Sequence, residues 1–89
     1  MIKGIYVLKD QLTGYMTPAF QENDEVAIRS LTHAMANDPL CGVNAKPTDF
    51  DLCKLGEFDT DTGVITPQQV QVLCNAGFLV EKPSKKGAK

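Results

Sequence analysis

Apolar residues recur along the chain in two different periods, and the change of period marks its elements. From Lys3 to Lys9, Ile5 and Val7 alternate against Gly4, Tyr6 and Leu8, so one extended segment carries apolar groups on both faces, as a well-covered strand does. Asp10-Gln11-Leu12-Thr13-Gly14 supplies turn chemistry. Tyr15 to Phe20 reads as a second extended segment, interrupted by Pro18, which cannot donate to a ladder and so marks an edge strand or a strand end. The spacing then becomes three and four at Val26, Ala27, Leu31, Ala34 and Met35, which draws one helical stripe. Asn23-Asp24-Glu25 offers the cap and first-turn acids, and the helix should stop near Asn37-Asp38-Pro39, because Pro39 disfavours helical geometry in the residue before it.

Residues 39 to 48, with Pro39, Gly42, Asn44 and Pro47, read as a connecting loop. Asp49 to Phe58 alternates through Leu52 and changes register before Leu55, which a bulge near Gly56 would explain. Asp59-Thr60-Asp61-Thr62-Gly63 is turn sequence leading to Val64-Ile65, the simplest arrangement being an antiparallel hairpin. Thr66-Pro67-Gln68-Gln69 has the form of a helix start, with Thr66 as cap, Pro67 at the first helical position and Gln69 closing a capping box. Val70, Leu73 and Cys74 would line that helix, Asn75-Ala76-Gly77 would end it, and a strand through 69 to 73 is the competing reading. The fold class is therefore α+β: a small antiparallel sheet of three to four strands packed with one main helix, and room for a short C-terminal helix.

At 89 residues the chain fits a single globular domain, residues 1–81, and chains of this size are marginal unless a partner adds buried area. A homo-oligomer, a dimer before others, is expected. Residues 1–81 carry eleven acids against five bases, a net of minus six that the overall minus two conceals. The sign reverses in residues 82–89, where Lys82, Lys85, Lys86 and Lys89 sit in a stretch without apolar periodicity, the pattern of a disordered basic tail. That tail is either a solubilising extension or an electrostatic arm for phosphates.

Candidate chemistry is sparse, and an enzyme is not expected. Cys41, Cys53 and Cys74 are odd in number and widely spaced, so reduced thiols are expected rather than a zinc site or a redox pair. Asp59, Asp61 and Gly63 hold part of a calcium-loop pattern but lack its distal glutamate, and a plain turn is the better reading. His33, the one histidine, faces no named base or nucleophile, and Asp24 with Glu25 or Asp49 with Asp51 read as solvated cap and strand residues. No metal and no cofactor is called for. No apolar run approaches the roughly 18 residues that span a bilayer, so no membrane partner is expected and the protein is expected inside the cell. What remains is binding of single-stranded nucleic acid, which needs cations with rings that stack on bases. Most phenylalanines are expected in the core, which leaves Tyr6 and Tyr15, near Lys3, Lys9 and Arg29, as the platform.

Gly14-Tyr15-Met16-Thr17-Pro18-Ala19-Phe20, Ala27-Ile28-Arg29 with Asn37-Asp38, Lys46-Pro47-Thr48-Asp49-Phe50-Asp51-Leu52 and Leu55-Gly56-Glu57-Phe58-Asp59, ending in Thr62-Gly63, carry a resemblance in combination. Over residues 3 to 65 the chain resembles the small nonstructural protein of the gokushoviruses, single-stranded DNA phages of the Microviridae. The resemblance implies an early, non-virion protein of the host bacterial cytoplasm that binds single-stranded DNA during genome replication or packaging. It supplies no catalytic residue, and Arg29 matches the helix arginine of that family. Arg29 is thus a first DNA contact or the source of a salt bridge to Asp49, Asp51 or Glu57. The nucleic-acid-binding set is Arg29, Lys3, Lys9, Tyr6, Tyr15, Lys82, Lys85, Lys86 and Lys89. The alternative is a protein-interaction module that docks on a host replication or phage assembly protein through an apolar patch at Phe78 to Val80.

Overall fold

The computed structural model describes residues 1–37, 43 and 46–79. Five strands build one antiparallel sheet: β1 (Ile2–Asp10), β2 (Gly14–Tyr15), β3 (Ala19–Gln21), β4 (Phe50–Asp59) and β5 (Ile65–Asn75). The main helix is α1 (Asp24–Asn37); a 3-10 turn at Pro47–Asp49 leads into β4, and residues 76–79 turn into helix directly after β5. The expected α+β architecture is present.

β1 is the axis of the sheet. β4 lies along its whole length, from Ile2 opposite Asp59 to Asp10 opposite Phe50. On its other side β2 takes Lys9 and Asp10, and β3 takes Gly4, Ile5 and Tyr6. Thr17 and Pro18 fall between those two short strands, as expected where a residue without an N–H interrupts a ladder. β5 pairs only with β4 and forms the far edge.

The register change foreseen near Gly56 is a bulge. Ile5 pairs with Gly56 and Tyr6 with Lys54, which leaves Leu55 as the extra residue of β4. Gly56 also lets two backbones meet. A Cβ there would run into the Thr66 carbonyl oxygen and come within 3.0 Å of the Pro67 Cα.

The expected helix over Thr66 to Cys74 does not form, and the strand reading of 69 to 73 is correct and extends to Ile65–Asn75. The capping signature is overridden because Ile65, Thr66, Val70 and Val72 are β-branched and because β4 offers a ladder for this segment. Pro67 is tolerated because β5 is an edge strand. Asn75, expected near a helix end, instead begins one: its Oδ1 accepts from the Gly77 N–H at 2.9 Å, while its Nδ2 donates to the Thr48 carbonyl and to Asp51 Oδ1 at 3.0 and 2.9 Å.

α1 starts where the cap pattern places it. Asn23 Oδ1 accepts from the Val26 N–H at 2.9 Å. Its stripe of Ala27, Leu31 and Met35 packs on Tyr6 of β1 and Leu52 of β4, joined by Val43, Ala76 and Leu79. Each large aliphatic side chain among them taken from water contributes about 1.5–3 kcal/mol. Residues paired across neighbouring strands share a face, so Tyr6 and Leu8 mark the helix side and Lys3, Ile5, Val7 and Lys9 the opposite side. Among the described residues no helix lies on that second side.

Urea unfolding checks two of these contacts. Asn23→Ala should lose about 1 kcal/mol, the usual worth of an N-cap. Gly56→Ala should lose about 1–3 kcal/mol, because the added methyl forces β4 and β5 apart.

Candidate nucleic-acid interface

The helix-free face of the sheet gathers rings and cations that the linear sequence separates. Its floor is Ile5, Val7 and Cys53, all buried, with Val7 opposite Cys53. Phe20 of β3 lies opposite Ile5, Phe58 of β4 opposite Lys3, and Tyr15 of β2 opposite Lys9. The Phe20 and Phe58 rings stack with centroids 5.1 Å apart at 29°. The Lys9 ammonium stands 5.4 Å from the centroid of the Tyr15 ring, a cation–π contact. Tyr15 and Phe20 each keep 52% of their surface in solvent.

Lys3 and Lys9 flank these rings at the two ends of β1, and neither makes an ion pair among the described residues. Asp51, the cross-strand neighbour of Lys9, instead accepts from the Gln11 and Asn75 side-chain amides at 3.3 and 2.9 Å. The two lysines therefore remain available to an anion.

Of the expected binding residues, the structure brings Lys3, Lys9 and Tyr15 together and separates others from them. Tyr6 faces the helix and is buried, with 3% of its surface exposed, so it cannot stack on a base. Alternation puts it on the side opposite Lys3 and Lys9, where a large ring beneath α1 completes the core. Arg29 is exposed on α1, which covers the other face of the sheet, near Ser30 and His33. It does not join the platform, and the expected salt bridge to Asp49, Asp51 or Glu57 is absent among the described residues. Lys82, Lys85, Lys86 and Lys89 lie outside the described residues, as do Cys41 and most of the loop from 39 to 48. Phe20 and Phe58, which the expectation of mostly core phenylalanines left off the platform, are platform rings. Alternation alone could not place Phe58, because the Leu55 bulge flips the strand before it. The patch expected at Phe78 to Val80 is not continuous: Phe78 is exposed but Leu79 is buried in the core, and Val80 lies outside the described residues.

A polar network absent from the sequence reading ties α1 to the sheet. The Tyr6 hydroxyl donates to Asp24 Oδ1 at 2.6 Å, and Lys54 Nζ lies 3.6 Å from the same oxygen and 3.7 Å from Glu57 Oε2. Gly4 makes room for the Tyr6 ring, whose hydroxyl occupies the place a Cβ would need. Burial first, then the Asp24 bond and the Asp24 and Glu57 charges, push the Tyr6 phenol well above its ordinary range. Lys54 is thereby neutralised. Burial also raises the thiols of Cys53 and Cys74, helped by the Asp51 carboxylate, so neither is an activated nucleophile. The Asp59 to Gly63 segment is the turn it was expected to be. Asp59 Oδ1 accepts from the Asp61 N–H at 2.9 Å, Gly63 adopts φ +77°, and the Met1 amine bridges to Asp61 Oδ2 at 2.9 Å.

In the comparison with protein families, a family described as Phage ORF5 protein matches residues 3–79. The chain belongs to the Phage ORF5 family. That match takes in every strand after the first residue of β1, the whole of α1 and the platform rings. It makes this a phage protein, and it extends past residue 65, where the resemblance ends, through β5 to Leu79. No curated protein and no solved structure matches the chain. Among the described residues of this family member no helix is long and apolar enough to cross a membrane.

The Tyr6 contact predicts an alkaline limit. The phenol holds its proton more tightly folded than unfolded, so its stabilisation is complete below the unfolded value near 10 and is lost as pH rises above it. Melting temperatures taken from pH 8 to 11 should fall more steeply for the wild type than for Tyr6→Phe, which at neutral pH should be less stable by about 1 kcal/mol through loss of the hydroxyl bond.

Proposed function

We propose that the helix-free face binds single-stranded DNA without sequence preference, as a nonstructural protein of a gokushovirus-like member of the Microviridae would during genome replication or packaging in the host cytoplasm. The observation that supports the reading is the stacked Phe20–Phe58 pair with Tyr15 beside it, flanked by Lys3 and Lys9, which make no ion pair among the described residues. Rings on a sheet face take bases of any identity because every base has a π-face, and lysines at the ends of the track take the phosphates. No bond is made or broken, and neither metal nor cofactor enters the reading.

The acidic body sets the strength of this binding. With only two lysines at the platform, the logarithm of affinity should fall with the logarithm of salt at a slope of about −1.4, and four tail lysines on phosphate would add about −2.8. Binding of this kind is weak for one copy and gains from more than one.

Fluorescence polarisation with a labelled oligonucleotide tests the proposal at low and high salt. Phe20→Ala and Tyr15→Ala should each weaken binding by about 5- to 150-fold, from about 1–3 kcal/mol per stacked base. Arg29→Ala, remote from the platform, should leave it within about twofold. Absence of binding at low salt, indifference to salt, or unchanged affinity in the ring variants would overturn the proposal.

A further inference from the structure

The second feature the fold leaves uncovered is the arm formed by residues 62–64 and β5. Residues 62–72 are all exposed, eleven in succession, and they include Val64 at 56%, Ile65 at 56%, Val70 at 42% and Val72 at 58% of their surface in solvent. Among the described residues as many large hydrophobic side chains stand exposed as there are hydrophobic residues in the core, and four of the exposed ones are on this arm. An exposed apolar edge strand of this composition is a surface on which another chain can pack.

Charge identifies what covers it. From Thr62 to Val80 the sequence holds no charged residue, nineteen positions in a chain that is 22% charged. Residues 1–61 hold ten acids against five bases. A nucleic acid finds no cation on the arm, and a basic partner would be drawn to the acidic body instead. Two copies of an acidic chain repel wherever their bodies approach, and they can meet at low cost only across a surface without charge. A surface without charge carries no electrostatic bar to meeting itself about a two-fold axis, the geometry of most homodimers.

We propose that a second copy of this chain packs on the uncharged arm, antiparallel and two-fold symmetric. The contact is made by side chains more than by a continuous ladder. Irregularities in β5 opposite Leu52–Cys53 and Lys54–Gly56 break the regular edge that strand addition would need. A standard interface takes about 800 Å² from each partner, roughly one-seventh of the 5847 Å² this chain exposes. Tyr15 lies across β1 and β4 from the arm, whereas Phe58, stacked on Phe20, stands opposite Ile65, so a dimer centred on Val70 and Val72 leaves Tyr15 open and borders the Phe20–Phe58 pair. The proposal stands whether or not the platform binds DNA.

Light scattering on the full chain without nucleic acid tests it. The wild type should weigh twice the 9.7 kDa chain and should stay dimeric as salt is raised, because an apolar contact is not screened while repulsion between the bodies is. Val70→Lys and Val72→Lys together place like charges across the two-fold axis and should weaken the dimer at least tenfold, with helix and sheet circular dichroism retained. Should that double variant unfold, Gln69→Lys, which removes no apolar group, is read in its place and should shift the dimer to monomer at lower concentration. A wild type that stays monomeric up to hundreds of micromolar, an assembly larger than two, or a dimer indifferent to the lysine variants would overturn the proposal. Polarisation of labelled oligonucleotide by the monomeric variant reports separately on the platform.

Discussion

A helix with its side chains is about 10 Å across, and strands in a sheet lie about 4.8 Å apart, so one helix can cover about two strands on one face. That ratio governs this protein. α1 settles on β1 and β4, where Tyr6 and Leu52 meet Ala27, Leu31 and Met35. With no second main helix among the described residues, no helix covers the opposite face of the sheet or the outer strand β5. Over the buried floor of that face Tyr15 and Phe20 stay exposed, as do Ile65, Val70 and Val72 on β5.

The two regions differ in chemistry and so in use. The open face combines rings with lysines whose cross-strand neighbours leave them unpaired, an arrangement suited to a chain of bases and phosphates. The β5 arm has apolar side chains and no charge at all, which suits a copy of itself. Cationic Lys54, by contrast, is spent within the fold: Asp24 and Glu57 neutralise it while the Tyr6 hydroxyl fixes the start of α1 against β1. One lysine of the sheet is thus structural, and two stand half-buried beside the rings with no ion pair among the described residues, a division made by which face each residue occupies. For an acidic body this distribution matters more than net charge, since a small local excess of cation at the rings can act where the whole particle would repel a polyanion.

Much of the architecture was legible in the linear pattern because short-range rules decide it. Asn23 caps α1, Pro18 parts β2 from β3, the register shift at Leu55 and Gly56 is a bulge, and Asp59 to Gly63 is a turn. Each depends on a residue's own conformational limits or on neighbours within a turn, so the sequence by itself settled them, along with the α+β class and the acidic body.

Tertiary pairing decided the rest. Thr66-Pro67-Gln68-Gln69 has a helix cap's chemistry, yet the ladder offered by β4 and the close approach at Gly56 hold it as strand. Tyr6 and Tyr15 looked alike as candidate rings until β1 was placed between β4 and the short outer strands, which buries one under α1 and exposes the other beside Lys9. Phe20 and Phe58, nearly forty positions apart, become a stacked pair only through register with Ile5 and Lys3. A single shift of pairing inverts which face a side chain occupies, and no local rule along the chain carries that information.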